Sequence, residues 1–383
     1  MPEDVGSRIE ARRRPASRIT GVDAARGIAL LGMFVAHVAP AVESAQVAEL
    51  IAIADERPRL LFALTAGVGL GLLTGATRPR TADRGELRRQ VAIRAVILIL
   101  IGLIVIAELR PLVIVILDVY GIAFLAMLPL LFLSARVALA AGAVSLAVTP
   151  AVAALAERDP AVRAAASGDA GIVVEWFITG AYPVIIWVPV MLIGLGLARL
   201  DVAASATVRW YALVGVLAAA VCLPITASMP ENQVLGADTA ADWVIPVRAS
   251  LETVGNVGAG LGVLAGAVAV TALAVAPVRR AASTLLSPIT AMGAMPLTIY
   301  TGQLVVLSLS KRVGPGGVAT DDSWGLLIGL IVGSMAFAWL WRRYVGRGPL
   351  EVLLRAASGR DRQDGAGGAA DGTRGRQKGR GDT

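Results

Sequence analysis

His37 is the only histidine in 383 residues, and it stands in GIALLGMFVAHV, a run otherwise apolar enough to lie in lipid. An imidazole gains and loses a proton near neutral pH, so a lone ring in such a place suits a general base. Eleven residues earlier comes Arg26, and three before that Asp23. At about 100° per residue, eleven helical steps return to within about 20° of the starting face and climb about 16 Å. If the segment is helical, an acid–base pair at one end and an imidazole at the other share one stripe. The plainer reading makes Asp23 and Arg26 an interfacial ion pair and His37 a polar residue bonded to a neighbouring helix.

The same chemistry needs partners. Asp118, in LDVYG, is expected to lie at the depth of His37, and a carboxylate on one ring nitrogen fixes the tautomer and raises the basicity of the other. Asp118 is therefore the expected catalytic companion of His37, with Glu175 and Glu252 as rivals. The loop 75–90, containing TRPRTADRGELRRQ, is the densest basic segment inside the membrane domain and reads as topology and anionic-lipid contact or, more sharply, as a cradle for phosphates. MPLTIYTGQL places Thr298, Tyr300, Thr301 and Gln303 within about one and a half helical turns, more polarity than lipid tolerates. That patch faces the protein interior, where Gln303 could bind substrate or hold helices together. Asp23, Tyr120, Tyr300 and Gln303 are the expected pore-lining or substrate-facing residues. Glu351 and Arg355 sit at i and i+4 of a short helix and read as a structural pair. With one histidine and one cysteine, Cys222, the usual zinc or haem ligand sets cannot be assembled, so no metal is expected.

The elements that must position these groups follow from composition. The chain is 56% hydrophobic and 16% charged, with a mean hydropathy of +0.72. Such a chain belongs in a bilayer, where backbone groups find partners within a helix of about 20 residues. Apolar runs at 27–42, 60–77, 95–107, 111–135, 137–156, 176–198, 210–230, 253–278, 281–310 and 323–341 predict an all-α polytopic membrane protein. Ten spans are counted, or eleven if 281–310 hides a re-entrant turn. An even count puts both termini on one side. Of the 35 Lys and Arg, 27 then fall on that side and 8 on the other, which makes the termini cytoplasmic.

Residues 1–18 form a basic cytoplasmic arm, 19–355 the membrane domain, and 356–383 a Gly-, Arg- and Asp-rich tail that cannot bury a core and is expected to be disordered. The net charge of +7 is mostly topology, since the arginines lie in short loops and a tail without a soluble domain to organise them, and nucleic acid is not an expected partner. Basic loops do suit anionic membrane lipid. Arginine dominates lysine, of which there are only two, Lys311 and Lys378; the bias suits a GC-rich bacterial genome and hence the inner membrane.

RITGVDAARGIALLGMFVAH, residues 18–37, resembles the opening of the transmembrane acyltransferase superfamily, which includes the heparan-alpha-glucosaminide N-acetyltransferase catalytic domain and an uncharacterised bacterial family. Its first-helix pattern, a basic residue, ten positions and then His, is met by Arg26 and His37. LRRQVAIRAVILILIGL, LDVYGIAFLAMLPL, YPVIIWVPVMLIGLGLARL and MPLTIYTGQL followed by RGPLEVLLR recur in that order in the uncharacterised family, so the resemblance covers most of 18–355. It implies that His37 takes part in acyl transfer and that basic residues toward the cytoplasm, here Arg26, Arg88, Arg89 and Arg94, hold the phosphates of coenzyme A. Two departures stand out: many uncharacterised relatives carry Asn where this chain keeps His37, and Arg89 and Arg94 do not match the arginine spacing of the sugar-modifying enzymes. The implied reaction passes an acyl group, acetyl in the simplest case, from cytosolic acyl-CoA to a hydroxyl or amine of an extracytoplasmic glycan or glycolipid. A homo-oligomer is left open. The rival reading is a proton-coupled transporter or flippase using Asp23, Arg26, His37 and Asp118 as its pathway; a catalytically silent scaffold is a third.

Overall fold

Proline and glycine interrupt several apolar runs, and the computed structural model shows where. It describes residues 19–169, 171–230, 243–273, 275–313 and 317–359; the arm 1–18 and the tail from 360 lie outside them. Nearly everything described is helix: α1 (Thr20–Val38), α2 (Ala45–Ala52), α3 (Arg57–Leu73), α4 (Arg84–Ile104), α5 (Leu117–Met127), α6 (Ala135–Ala156), α7 (Pro160–Ala166), α8 (Gly171–Val174), α9 (Val184–Arg199), α10 (Ser205–Ser228), α11 (Val244–Thr271), α12 (Ala276–Leu285), α13 (Ser287–Ala294), α14 (Pro296–Leu309), α15 (Trp324–Tyr344) and α16 (Pro349–Ala357). Two wider, π-helical turns continue α4 and α8, at Val105–Leu109 and Glu175–Thr179. A two-stranded ribbon, Arg312–Val313 against Ala319–Thr320, precedes α15.

All ten apolar runs fold as helix, yet among the described residues only six form a helix long and apolar enough to cross a bilayer alone, or up to eight with two bent pairs included. The bent pairs are the 171–179 segment with α9, at 44°, and α13 with α14, at 90°, the break expected within 281–310. The remaining two are short. α3 has 17 residues and α5 only 11, about 16 Å at the helical rise and half a hydrocarbon core. Pro129 stops α5 at its C-terminal end, because the residue before a proline disfavours the helical region. Its whole first half, Leu117 to Ala123, is buried in protein, where interrupted backbone at membrane depth is tolerated.

Burial sorts the helices into layers. Within their apolar windows α1 and α11 are 61% buried, whereas α6, α10 and α15 are 28%, 22% and 17% buried and present the rest to lipid. α3 and α9 complete the centre, crossing so closely that a Cβ on Gly67 would lie 2.0 Å from the Met191 carbonyl, and one on Gly194 2.1 Å from that of Leu64. α1 meets α13 in the same way: a Cβ on Gly293 would lie 1.8 Å from the Asp23 carbonyl. Helices in lipid gain little from burying apolar surface against each other, so such small-residue contacts, which let backbones touch, carry the packing.

Arg199 ties one end of this centre. Its guanidinium donates to the carbonyls of Gly71 (3.0 Å), Ala76 (2.6 Å), Leu131 (2.7 Å) and Leu133 (3.3 Å) and to Thr74 Oγ1 (2.7 Å). These groups belong to the last turn of α3, the turn that follows it and the irregular chain after α5, where helical carbonyls run out of helical donors.

Candidate functional site

α1 carries the stripe. Asp23 is buried, and Arg26 Nη1 pairs with its Oδ1 at 3.4 Å while also donating to the Gly293 carbonyl at 3.2 Å; Nη2 donates to the Thr65 carbonyl at 3.0 Å. Arg26 thus joins α1 to α13 and α3. It also lines a cavity of about 260 Å³ together with Arg94, Tyr120, Tyr300 and Glu351. Tyr120 is held there in an aromatic cluster, 4.9 Å from Phe124, 5.3 Å from Phe62 and 5.6 Å, edge to face, from Trp187.

Glu351 has a task that its i, i+4 spacing to Arg355 conceals. The 90° break before α14 frees the first amides of that helix, and Glu351 Oε1 accepts from Leu297 N (2.8 Å) and Thr298 N (3.2 Å), while Oε2 accepts from Thr298 Oγ1 (2.5 Å). A carboxylate at a helix N-terminus is favoured by both hydrogen bonds and dipole. α16 is thereby pinned to the cavity's edge.

At the other end of α1, His37 lines a separate cavity of about 180 Å³ with Asp55, Arg59, Tyr182 and Tyr300. Its Nδ1 lies 2.9 Å from Gln303 Nε2 of α14. Asp118, the expected companion, is not its partner. Asp118 Oδ2 accepts from Trp176 Nε1 at 2.8 Å instead, and the carboxylate belongs to a third cavity, behind the start of α5. Equal depth in the bilayer left the rotation of the short α5 undetermined, and α5 turns Asp118 toward the 175–179 turn.

Two cavity walls coincide. Tyr300 and Ile116 line both the Arg26 cavity and the His37 cavity, and Ile116 N donates to Tyr300 Oη at 3.3 Å. The stripe from Arg26 to His37 therefore borders two chambers with a tyrosine between them.

The basic group also divides. Arg94 joins Arg26, whereas Arg88 and Arg89 are exposed at the start of α4: Arg89 is paired bidentately with Glu86 at 2.8 and 2.9 Å, and Arg88 donates to the Leu128 carbonyl at 3.2 Å and lies over Phe132. Five residues turn a helix by about 140°, so Arg89 and Arg94 cannot look into one cavity.

Residues 18–224, more than half of the chain, match the family described as heparan-alpha-glucosaminide N-acetyltransferase, catalytic. The chain belongs to this family. Residues 197–360 match a second family, described as protein of unknown function (DUF418), and no curated protein matches. As a member of the heparan-alpha-glucosaminide N-acetyltransferase catalytic family, the chain is a multi-pass membrane protein of acyltransferase type. The family match ends within α10, so Tyr300, Gln303 and Glu351 fall in the second matched region. The His37 cavity is closed by residues from both.

Three residues at the site escaped sequence reasoning. Asp55 and Arg59 lie between the apolar runs 27–42 and 60–77, where charge is ordinary, and Arg59 is held by Glu56, by the Ala181 carbonyl at 3.3 Å and over the Tyr182 ring at 5.2 Å. Trp176 read as the edge of a span. Only its neighbour Glu175, an ionisable residue at that edge, offered a signal.

Proposed function

We propose that this protein moves an acyl group from acyl-CoA, bound from the cytoplasm at the Arg26–Arg94 chamber, to a hydroxyl or amine of an extracytoplasmic glycan or glycolipid bound at the His37 chamber. The observation that carries this reading is the pair of chambers meeting end to end at Tyr300, cationic on one side and holding the only imidazole on the other. Arg26 and Arg94 suit the phosphates and thioester end of a pantetheine donor, acetyl-CoA in the simplest case. His37 takes the acceptor's proton at Nε2 as the acceptor oxygen or nitrogen attacks the thioester carbonyl. The C–S bond breaks, a C–O or C–N bond forms, and the proton passes to the departing thiolate.

For Nε2 to be the base, Nδ1 must carry the ring's proton, which requires Gln303 to present Oε1 rather than its NH₂. In the orientation with Nε2 toward the ring, Gln303 Oε1 is buried without a hydrogen-bond partner among the described residues. Turning the amide satisfies Oε1 and frees His37 Nε2 together. The inner membrane of a bacterium is the proposed location, with the Arg26 end facing the cytoplasm.

The division at Tyr300 also suits a transporter that opens one chamber at a time. Purified protein separates the two readings. An acyltransferase gains thermal stability with acetyl-CoA, about 2.7 kcal/mol at a hundredfold excess over Kd, and transfers labelled acetyl in a His37-dependent manner. A transporter shows neither response. Transfer by His37→Ala at the wild-type rate would remove His37 from the mechanism.

A further inference from the structure

A fourth cavity lies at the Thr20 end of the bundle, where α1 begins, α12 runs into α13 and α15 ends. It has a volume of about 340 Å³, within the range of small-molecule sites. Its wall includes Thr20 of α1, Ser287 and Thr290 of α13, and Trp339, Arg342 and Arg343 of α15. Its described wall residues are shared with neither the Arg26 nor the His37 chamber, so the mechanism above makes no use of it.

The wall chemistry suits a phosphate. Among the described residues it carries two guanidiniums and no carboxylate. Arg342 Nη1 donates to the Thr290 carbonyl at 3.2 Å, which fixes that guanidinium against α13. The Arg343 guanidinium lies 5.7 Å from the centre of the Trp339 ring, a contact that orients it without consuming its donors. Thr290 is only 5% exposed yet lines the cavity, and among the described residues its hydroxyl has no hydrogen-bond partner. A buried hydroxyl opening on a cationic cavity is a donor that lacks its acceptor.

The surroundings suit a lipid rather than a soluble anion. α12 has ten residues, none of them buried, and is too short to span. Val278 and Leu285, seven positions apart and so within about 20° of one another, are 51% and 78% exposed. Arg280, Ser283 and Thr284 fall on the opposite face, and Ser283 lines the cavity. Such a helix lies in the interface plane, polar side to the protein and apolar side to the acyl chains. On the other flank α15 is 17% buried, and Phe337 and Leu340, within two turns of Arg343, are exposed. A cationic, hydroxyl-lined pocket is thus bordered by two apolar surfaces that face the bilayer.

We infer that this cavity holds the phosphate headgroup of an anionic phospholipid from the leaflet bordering the Thr20 end of α1, the leaflet taken above as cytoplasmic. The phosphate oxygens accept from Arg342, Arg343 and the hydroxyls of Ser287 and Thr290, while the acyl chains follow the exposed faces of α12 and α15. Arginines at the end of a span are ordinary topology by themselves; the enclosing wall and the buried hydroxyl make a site of them. Bound there, the lipid joins α15, the least buried of the six long spans, to α13 and α1. This holds whatever reaction the two chambers perform.

The test uses purified full-length protein, delipidated in neutral detergent and titrated with phosphatidylglycerol, phosphatidylcholine or inorganic phosphate. Native mass spectrometry reads bound lipid, and thermal unfolding reads its effect. Phosphatidylglycerol is expected to bind about tenfold more tightly than phosphatidylcholine and to raise the thermal midpoint. Arg343→Gln, on an exposed side chain whose loss does not threaten folding, weakens phosphatidylglycerol binding about tenfold, and Ser287→Ala weakens it about threefold. Arg209→Gln, an equal loss of charge on an exposed residue near the start of α10, changes it by less than about twofold. Equal binding of the two lipids, or indifference to both Arg343→Gln and Ser287→Ala, overturns the site. Arg209→Gln as damaging as Arg343→Gln reduces it to the general attraction of a basic face. Inorganic phosphate that displaces phosphatidylglycerol and raises the midpoint as far makes it a pocket for a soluble anion, which also overturns the lipid assignment.

Discussion

His37 Nδ1 and the side-chain amide of Gln303 lie 2.9 Å apart across 266 positions of sequence. The contact links the first transmembrane helix to the helix that follows the 90° break, so the ring's orientation depends on α14 being in place. His37→Ala should slow acetyl transfer by about 10² to 10⁴. Gln303→Leu should act through the ring and lower kcat on the order of tenfold or more, with KM for the donor unchanged. Gln303→Glu keeps an acceptor oxygen at Nδ1 and should recover most of the rate. If Leu and Glu variants fall together, Gln303 only holds helices.

Of the four arginines first grouped as phosphate ligands, Arg94 and Arg26 share a cavity and Arg88 and Arg89 do not. Loss of a hydrogen bond to a charged group costs about 1.5–3 kcal/mol, or roughly 10- to 150-fold in affinity. Arg94→Ala should weaken acetyl-CoA binding, measured by calorimetry, by that factor. Arg89→Ala removes an exposed pair with Glu86 and should leave the affinity within about twofold. Arg26→Ala should also destabilise the fold, because Arg26 bonds the Gly293 and Thr65 carbonyls.

The contrast between those arginines shows what was legible in the sequence. Helical periodicity within one segment placed Arg26 and His37 on one stripe of α1, and both line chambers. The all-α membrane class followed from hydropathy, and the run of hydroxyl and amide groups around Gln303 betrayed an interior face. What lay between segments was not legible: bilayer depth says nothing about helix rotation, so Asp118 was assigned to His37 although α5 turns it to Trp176. Span counting read 111–135 as one crossing because hydropathy does not register that only Leu117–Met127 of that run is α-helical. Glu351 and Arg199 bond backbone groups that become available only where helices break or end, and Arg199, at the end of an apolar run, looks like any cytoplasmic flanking charge.

Arg199 is expected to be a stability residue. Five hydrogen bonds, four of them to carbonyls in and beyond the last turns of α3 and α5, are lost in Arg199→Ala. The cost should be on the order of 3–5 kcal/mol, seen as a large fall in the thermal midpoint in detergent. Arg199→Lys keeps the charge but not the fork of donors, and should recover only a minor part. Acetyl-CoA affinity per folded molecule should be unchanged in both.

Asp55, in the turn before α3 and on the wall of the His37 chamber, has its carboxyl raised above the ordinary value, first by burial, with Arg59 opposing. A raised carboxyl favours the protonated form in the folded state. Its contribution to stability is thus present in full below the usual carboxylate value and is lost as pH rises through the folded one. Asp55→Asn mimics the protonated group, so it should match wild type at acid pH and gain a small advantage toward neutrality. Thermal unfolding of both proteins between about pH 3 and pH 8 checks the sign. An advantage that grows on acidification would contradict it.

Tyr300 is 2% exposed and stands between the two chambers, its Oη accepting from the Ile116 amide that begins α5. If the partition is what keeps donor and acceptor apart until both are bound, removing the ring should uncouple them. Tyr300→Phe keeps the ring but leaves the Ile116 N–H unbonded, at a cost of about 1–3 kcal/mol in stability, and should transfer acetyl without leakage. Tyr300→Leu, a milder truncation than Ala, opens the wall and should hydrolyse acetyl-CoA to acetate in the absence of any acceptor, because water then reaches the thioester beside His37. That hydrolysis should vanish in the double variant with His37→Ala. Acetate release equal in Tyr300→Leu and wild type would mean that the tyrosine is not the barrier, and that donor and acceptor are kept apart elsewhere.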